Sequence, residues 1–374
     1  SLEKLPGLDL VSFFSGEMGL AESARGIARS CHIGHIPFSL RSFDLQLSQR
    51  CGDRSMDPWL SDQCSHAAIV LMLNPDALKV ALPQLGQNEM RNRYCIGYWY
   101  WETEQLPAEW LYALDLVDEV WVATEFVAEA VRKFTSKPVT IIHPPIDVQL
   151  SRQYARHEFG LKEGRFLFLF SFDFGSFSSR KNPYATILAF QKAFPLERQD
   201  VGLVIKSHGG GNHPEKLLDL QNQIQCDPRI TLIDRMMSRD QVFGLQSVCD
   251  VFVSLHRSEG LGLGLAESMA QGKAVIGTAY SGNLEFMTKD NSCLVDFDMI
   301  PIEPGEYLYD QPGVSWADPS IEQAAWYMEK LLDDKAYYRR ISTAGQQDIL
   351  LQWNHVGTAN AIRRRLSDLG LMGE

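Results

Sequence analysis

At 374 residues the chain is too long for one ordinary core and long enough for two domains. Hydrophobic residues make up 45% and charged residues 22%, a balance that excludes a disordered chain. The formal net charge is -12, and acidic residues outnumber basic ones on both sides of residue 157, which excludes the basic lobe that a duplex nucleic-acid binder needs.

The first strand-like run spans residues 8–14 and leads into Ser15-Gly16-Glu17-Met18-Gly19-Leu20, a glycine-bearing turn that opens a helix. Leu20, Ala24, Ile27, Ala28 and Cys31 share one face of that helix. Further runs follow at 67–74, 94–101, 119–124 and 139–143. Residues 147–164 are polar with no apolar period, and the domain junction is expected there, giving domains 1–157 and 158–352. The pattern restarts at 166–173 and continues at 201–207, 230–234, 251–256, 274–278 and 293–297. Between these runs Val242, Leu245 and Cys249 mark another helical face. The tail, 353–374, reads as a helix with Val356, Ala359, Ile362, Leu366 and Leu369 on one side, expected to pack back on the first domain.

Most of these runs are apolar on consecutive positions, as in strands of parallel sheets covered on both faces. Strands alternating with helices imply two doubly wound, Rossmann-like α/β domains. Such sheets bind ligands at the carboxyl ends of their strands, so two of them facing across a cleft would hold one ligand between them.

The seven cysteines, Cys31, Cys51, Cys64, Cys95, Cys226, Cys249 and Cys293, lack the tight spacing of a zinc knuckle or redox pair, and reduced thiols in a cytoplasmic protein are expected. No basic-then-apolar segment opens the sequence, and no apolar run is long enough to cross a bilayer. Peripheral contact with the inner face of a membrane stays open. Phe13, Phe14, Trp99 and Trp101 are the apolar residues that raise it, and they read first as buried strand.

The segment richest in chemistry is Ser258-Glu259-Gly260-Leu261-Gly262-Leu263-Gly264-Leu265-Ala266-Glu267, which follows the run at 251–256 and opens a helix that stops near Gly272. Glycines let the backbone approach a ligand, and a helix start offers unpaired amides and a positive dipole end. Carboxylates do not cradle phosphates; they accept hydrogen bonds from hydroxyls. Glu259 and Glu267, eight positions apart across the loop, therefore suit a ligand with hydroxyls on both sides of its phosphates. A nucleoside-diphosphate sugar has that form.

The segment resembles the E-x7-E signature of retaining GT-B glycosyltransferases, family 4 in particular. The resemblance implies Glu259 at the donor sugar, Glu267 at the ribose, and the backbone of Gly260, Leu261, Gly262 and Leu263 at the sugar and diphosphate. It further implies that Gly16 and Gly19 belong to a loop closing over the diphosphate. Ser179-Arg180-Lys181-Asn182-Pro183 resembles the family's Arg-Lys segment, in which Lys181 neutralises the leaving group. The second basic residue of that segment is missing from 174–178, and Lys206 is the candidate to supply its charge. Ala279–Glu285 resembles a Gly-x-x-Glu turn beside the diphosphate, and Met236 matches the stretch that reads the base. Many members carry a histidine at the end of a first-domain strand. Here Tyr98-Trp99-Tyr100-Trp101-Glu102 has none, so Glu102 is the candidate substitute, with the aromatic residues available to stack on a sugar. His143 and His256 end strands too and read as structural.

The function expected is transfer of a hexose, with UDP-glucose the favoured donor, to a saccharide or lipid-linked acceptor in bacterial polysaccharide or glycolipid synthesis. No metal or cofactor is expected. Asp296-Phe297-Asp298 spells a metal motif of another transferase class but lies downstream of the loop. Three other functions compete with this one. A sugar-nucleotide 2-epimerase would use the same donor without an acceptor. A dinucleotide oxidoreductase needs a G-x-G-x-x-G turn after the first strand, which Gly16 and Gly19 do not make. A non-catalytic sugar-nucleotide binder would be indifferent to loss of Glu102.

Overall fold

A computed structural model describes residues 4–16, 19–43, 52–86 and 88–373. The chain divides into two compact units, the first made of Ser1–Asp147 and Gln352–Glu374, the second of Val148–Leu351.

The first unit runs β1 (Leu5–Ser12), α1 (Gly19–Ile33), β2 (Phe38–Ser42), β3 (His66–Leu71), α2 (Pro75–Leu85), β4 (Tyr94–Trp99), β5 (Glu119–Val122), α3 (Glu125–Arg132) and β6 (Val139–Ile141). Its strands form one parallel sheet in the order β2-β1-β3-β4-β5-β6. The order reverses at β1, the topological switch point of a doubly wound sheet. Leu8, Leu10, Val70, Ile96 and Trp121 fill the core from the sheet.

The second unit runs β7 (Phe166–Asp173), α4 (Ser178–Lys181), α5 (Pro183–Ala193), β8 (Val201–His208), α6 (Pro214–Ile224), β9 (Ile230–Asp234), α7 (Arg239–Val248), β10 (Val251–Ser254), α8 (Leu263–Ala270), β11 (Ala274–Thr278) and β12 (Cys293–Val295). An antiparallel hairpin follows, β13 (Phe297–Pro301) with β14 (Ser315–Pro319), then α9 (Ile321–Asp333) and α10 (Lys335–Gln352). The main sheet is parallel, in the order β12-β11-β10-β7-β8-β9, and its switch point falls between β7 and β10. Phe168 and Phe170 of β7 pack with Phe190, Ile205, Val253 and Met328, so aromatic volume dominates this core.

The last helix, α11 (His355–Asp368), returns to the first unit and packs along α1. Ile362 and Leu366 enter the core there, and Arg365 makes a two-pronged ion pair, 2.8 and 2.7 Å, with the buried Glu119 of β5.

Two features depart from the sequence reading. The segment 148–157, assigned above to the first domain, belongs to the second unit. Ser151 and Tyr154 donate to Asp240, the Tyr154 ring lies against Gly244, and Arg156 pairs with Asp250 at 3.1 Å. These are long-range polar contacts, and a polar segment without periodicity gives no sign of which core it joins. Strand β2 and the β13–β14 hairpin were also missed. Their exposed or half-exposed residues break the consecutive apolar run that marked the buried strands.

Candidate functional site

At the switch point of the second unit, the loops after β7 and β10 lie side by side. The loop after β7 is one helical turn, α4, held between two left-handed residues, Phe177 (φ 63°) and Asn182 (φ 57°). A bulky residue with positive φ costs about 1–3 kcal/mol and persists only where its surroundings enforce it. Here Asn182 Nδ2 donates to Leu255 O at 2.9 Å, and the Arg257 amide donates to Arg180 O at 2.8 Å. Arg257 Nη1 donates to Ser179 O at 2.7 Å. The turn is thus stapled to the loop after β10 and presents Arg180 and Lys181 to it.

In the facing loop Glu259 is only 8% exposed. Lys181 Nζ lies 2.5 Å from one of its carboxylate oxygens and Arg180 Nη1 lies 3.2 Å from the other. Burial alone would raise the Glu259 carboxyl, but Lys181 and Arg180, with a smaller push from His256, hold it down at about 2. Arg180 Nη1 also donates to Ser258 O at 2.9 Å, so one guanidinium fixes both the carboxylate and the backbone that carries it. The loop after β11 closes the other side. The Glu259 amide donates to Ser281 Oγ and the Gly282 amide donates to Glu259 O, both at 2.8 Å. A β-carbon on Gly282 would sit 2.1 Å from Gly260 O, so only glycine allows this approach. Gly262 then takes a left-handed conformation (φ 90°) and caps α8, whose first turn carries the orphan amides of any helix start.

His256, fully buried beneath the loop, is structural. Its Nε2 faces two acceptors, Asn283 Oδ1 at 3.0 Å and Tyr280 O at 3.2 Å, and so carries the proton. Nδ1 then accepts from Ser254 Oγ at 3.0 Å, and burial pushes the ring's pKa down.

The other site residues of this unit lie on neighbouring strand ends and on α8. Lys206, near the end of β8, is 4% exposed and donates to Ser207 O at 2.9 Å. Burial pushes its ammonium down to about 8, against the pull of Asp234 and Asp173. Met236, just past β9, is 48% exposed. Glu267 is buried on α8, where Arg239 donates to one carboxylate oxygen and Gln246 Nε2 to the other at 3.0 Å. Leu261 is buried, and Leu263 is half-buried at the helix start.

In the first unit, Gly16 is buried at the end of the turn after β1, and its carbonyl accepts Arg25 Nη1 at 2.5 Å. Gly19 opens α1 and is exposed. Glu17 and Met18 between them, like Cys51, lie outside the described residues. A cavity of about 320 Å³ opens at the carboxyl ends of β1 and β2, lined by Ser15, Ser42, Asp53, Arg54 and Asp57 among others. Glu102 is half-buried in the segment after β4. Trp99 and Trp101 beside it do not serve as a sugar platform, whereas Tyr100 is only half-buried. Trp99 and Trp101 are 0% and 1% exposed, Trp101 Nε1 donates to Thr103 Oγ1 at 2.7 Å, and its ring packs on Trp110 at 4.6 Å. Phe13 and Phe14 are buried as well, so none of the four forms a membrane-facing patch.

Among the described residues, no group of three or more His, Cys, Asp or Glu is placed to hold a metal ion, and no helix is long and apolar enough to cross a membrane. Asp296 accepts Gln323 Nε2 at 3.2 Å beside the hairpin. The described cysteines are free thiols, and burial pushes Cys31, Cys64, Cys249 and Cys293 up to about 12.

Arg180, Arg239 and Gln246 were not among the expected site residues, and Ser281 was expected only as part of the turn 279–285. Arg180 was in view beside Lys181, but its aim at Glu259 depends on the left-handed Phe177. Arg239 and Gln246 carry no local signal, because their partner lies on the next helix.

Residues 151–348, more than half of the chain, match the family described as Glycosyl transferases group 1. No curated protein is matched by the sequence. Solved structures resemble it along nearly its whole length. One is HepE of Anabaena in complex with UDP-glucose, at 14% identity and a TM-score of 0.69, over 96% of this chain and 99% of that one. Sucrose-phosphate synthase of Thermosynechococcus elongatus gives 13% and 0.68, over 98% and 99%. A glycosyltransferase from Rickettsia africae gives 12% and 0.67, also over 98% and 99%. At such identities the likeness is one of fold, and that fold is GT-B, two Rossmann-like domains each built on a parallel sheet. The chain belongs to the group 1 glycosyl transferases.

Proposed function

We propose that the protein is a retaining hexosyltransferase of family 4 that takes UDP-glucose as donor and passes glucose to a saccharide or lipid-linked acceptor. The observation that carries this reading is the convergence of Lys181, Arg180 and Glu259 over a glycine loop and helix start at the switch point of the second unit. Cations and helix amides suit a diphosphate, and the adjoining carboxylate suits sugar hydroxyls. The E-x7-E spacing then gives Glu267 the ribose, and the family resemblance gives Met236 the base. UDP-glucose is favoured because HepE, of like fold, is described with it bound.

In this mechanism the bond between the sugar's C1 and the diphosphate breaks while the acceptor oxygen bonds to C1 on the same face. The departing phosphate takes the acceptor's proton. Charge grows on the diphosphate as positive charge spreads over the sugar ring. Lys181, Lys206 and the loop amides are preorganised to stabilise it, with no metal assigned. The family resemblance counts Gly16 and Gly19 of the first unit among the donor-binding residues as well. The first unit takes the acceptor: its cavity at the ends of β1 and β2 mixes carboxylates, hydroxyls and a guanidinium with Phe14, Phe43, Met56 and Leu60. Glu102, which does not line that cavity, is the candidate that the family resemblance offers for positioning the acceptor hydroxyl. The setting proposed is polysaccharide or glycolipid synthesis at the cytoplasmic face of a membrane.

Proton NMR of the protein with UDP-glucose tests this reading. Release of UDP with glucose formed first as the α anomer is expected. The β anomer, or an epimerised sugar nucleotide with its diphosphate link intact, would overturn it.

A further inference from the structure

Glu267 is 4% exposed, and both its oxygens are already bound within the protein. Arg239, at the head of α7, donates to Oε1, and Gln246, two turns further along α7, donates Nε2 to Oε2 at 3.0 Å. Gln271, one turn beyond Glu267, donates its Nε2 to Gln246 Oε1 at 2.8 Å. That bond orients the Gln246 amide so that its NH2 group must face the carboxylate. Arg239 is placed just as firmly. Ser238 caps α7 in a reciprocal box with Gln241, and the Arg239 guanidinium lies over the Phe243 ring at 4.6 Å.

A buried ion pair is weak evidence for stability, because desolvation offsets the attraction. The side chains here restrict orientation as well as charge. A carboxylate has two lone-pair directions on each oxygen. Arg239 takes one on Oε1 and Gln246 takes one on Oε2, which leaves one on each oxygen. Two parallel acceptor sites match a vicinal diol.

Resting on the reading of Glu267 as the ribose carboxylate, we propose that Arg239 and Gln246 are positioning residues that aim the remaining lone pairs of Glu267 at the ribose 2′ and 3′ hydroxyls. In that role they set the preference for a ribonucleotide donor. They act through the carboxylate, so their effect should exist only when those hydroxyls are present.

Calorimetric titration with UDP and with 2′,3′-dideoxy-UDP separates this role from a structural one. The wild-type protein should prefer UDP by about tenfold or more, the equivalent of one hydrogen bond to a charged group. Arg239→Gln should lose most of that preference: UDP weakens about tenfold while dideoxy-UDP stays within about twofold. Arg239→Lys should recover part of it. If Arg239→Gln does not fold, Gln246→Met makes the same test. Equal weakening of both nucleotides, or no change in either, would overturn the inference and leave the donor reading standing. A wild-type protein that binds UDP and dideoxy-UDP equally would instead overturn the ribose assignment of Glu267, and one that binds neither would overturn the donor site.

Discussion

Glu259 stands between two cations in a dry loop, and its ionisation is coupled to folding. Its carboxyl sits at about 2 when folded and near 4.5 when unfolded. The stabilisation is therefore full above pH 4.5 and is lost as pH falls toward 2. Glu259→Gln removes the charge shared by the buried Arg180 and the half-buried Lys181 and should cost roughly 3 kcal/mol at neutral pH. In urea unfolding the gap to wild type should narrow below pH 4.5; a gap independent of pH would place the cost elsewhere. Lys206 has the opposite sign. The unfolded chain keeps this proton up to 10.5, while the folded chain releases it at about 8, so stability rises with pH between those values. A bound diphosphate favours the charged ammonium, so nucleotide affinity should fall as pH rises through about 8. Lys206→Met should flatten both trends, and a variant that keeps them would remove Lys206 from the site. Lys181→Ala should reduce kcat by about 10²–10³ and ground-state affinity for intact UDP-glucose much less, because the diphosphate gains charge as the bond breaks. Steady-state kinetics beside calorimetry checks that split.

Loops and helices set how these side chains meet. A β-carbon on Gly282 would fall 2.1 Å from Gly260 O, which leaves no room for a methyl group. Gly282→Ala should displace the loop after β10 and weaken UDP binding by about tenfold or more, by the loss of at least one charge-assisted hydrogen bond. Its circular dichroism should match wild type, and unchanged UDP binding would show that the loop tolerates the shift. In the first unit, α11 supplies the cation for Glu119, which is 0% exposed. Arg365→Ala leaves that carboxylate buried without its cation and should cost about 3–5 kcal/mol in equilibrium unfolding. The elements most legible in the sequence are those with consecutive apolar residues, such as β7 and β10. Strand β2 and the β13–β14 hairpin were hidden because β2 is mostly half-buried and β13 has no buried residue, so neither carries a consecutive apolar run. The turn carrying Arg180 and Lys181 was legible as a basic segment, but not as a left-handed clamp, since nothing in the letters around Phe177 announces a positive φ.

At the scale of the molecule, the alternation of strands and helices was enough to read two doubly wound domains. Strand order was beyond it, because the crossover at β7 is a choice among sheet edges that local pattern does not record. The junction slipped by ten residues because 148–157 is held by contacts to Asp240 and Asp250, far away in sequence. The same divide runs through the site. Glu259, Glu267 and their glycines lie within one segment and could be read together, whereas Arg239 and Gln246 reach Glu267 only after α7 and α8 have packed. Family membership and fold place the chain among the glycosyl transferases, and the geometry at the switch point supports a donor site in the second unit. The most direct test is calorimetric titration of the wild-type protein with UDP, GDP, ADP and NAD in the absence of added metal. Binding of UDP in preference to the other three is the result this account predicts; binding of NAD alone, or of none of the four, would contradict it.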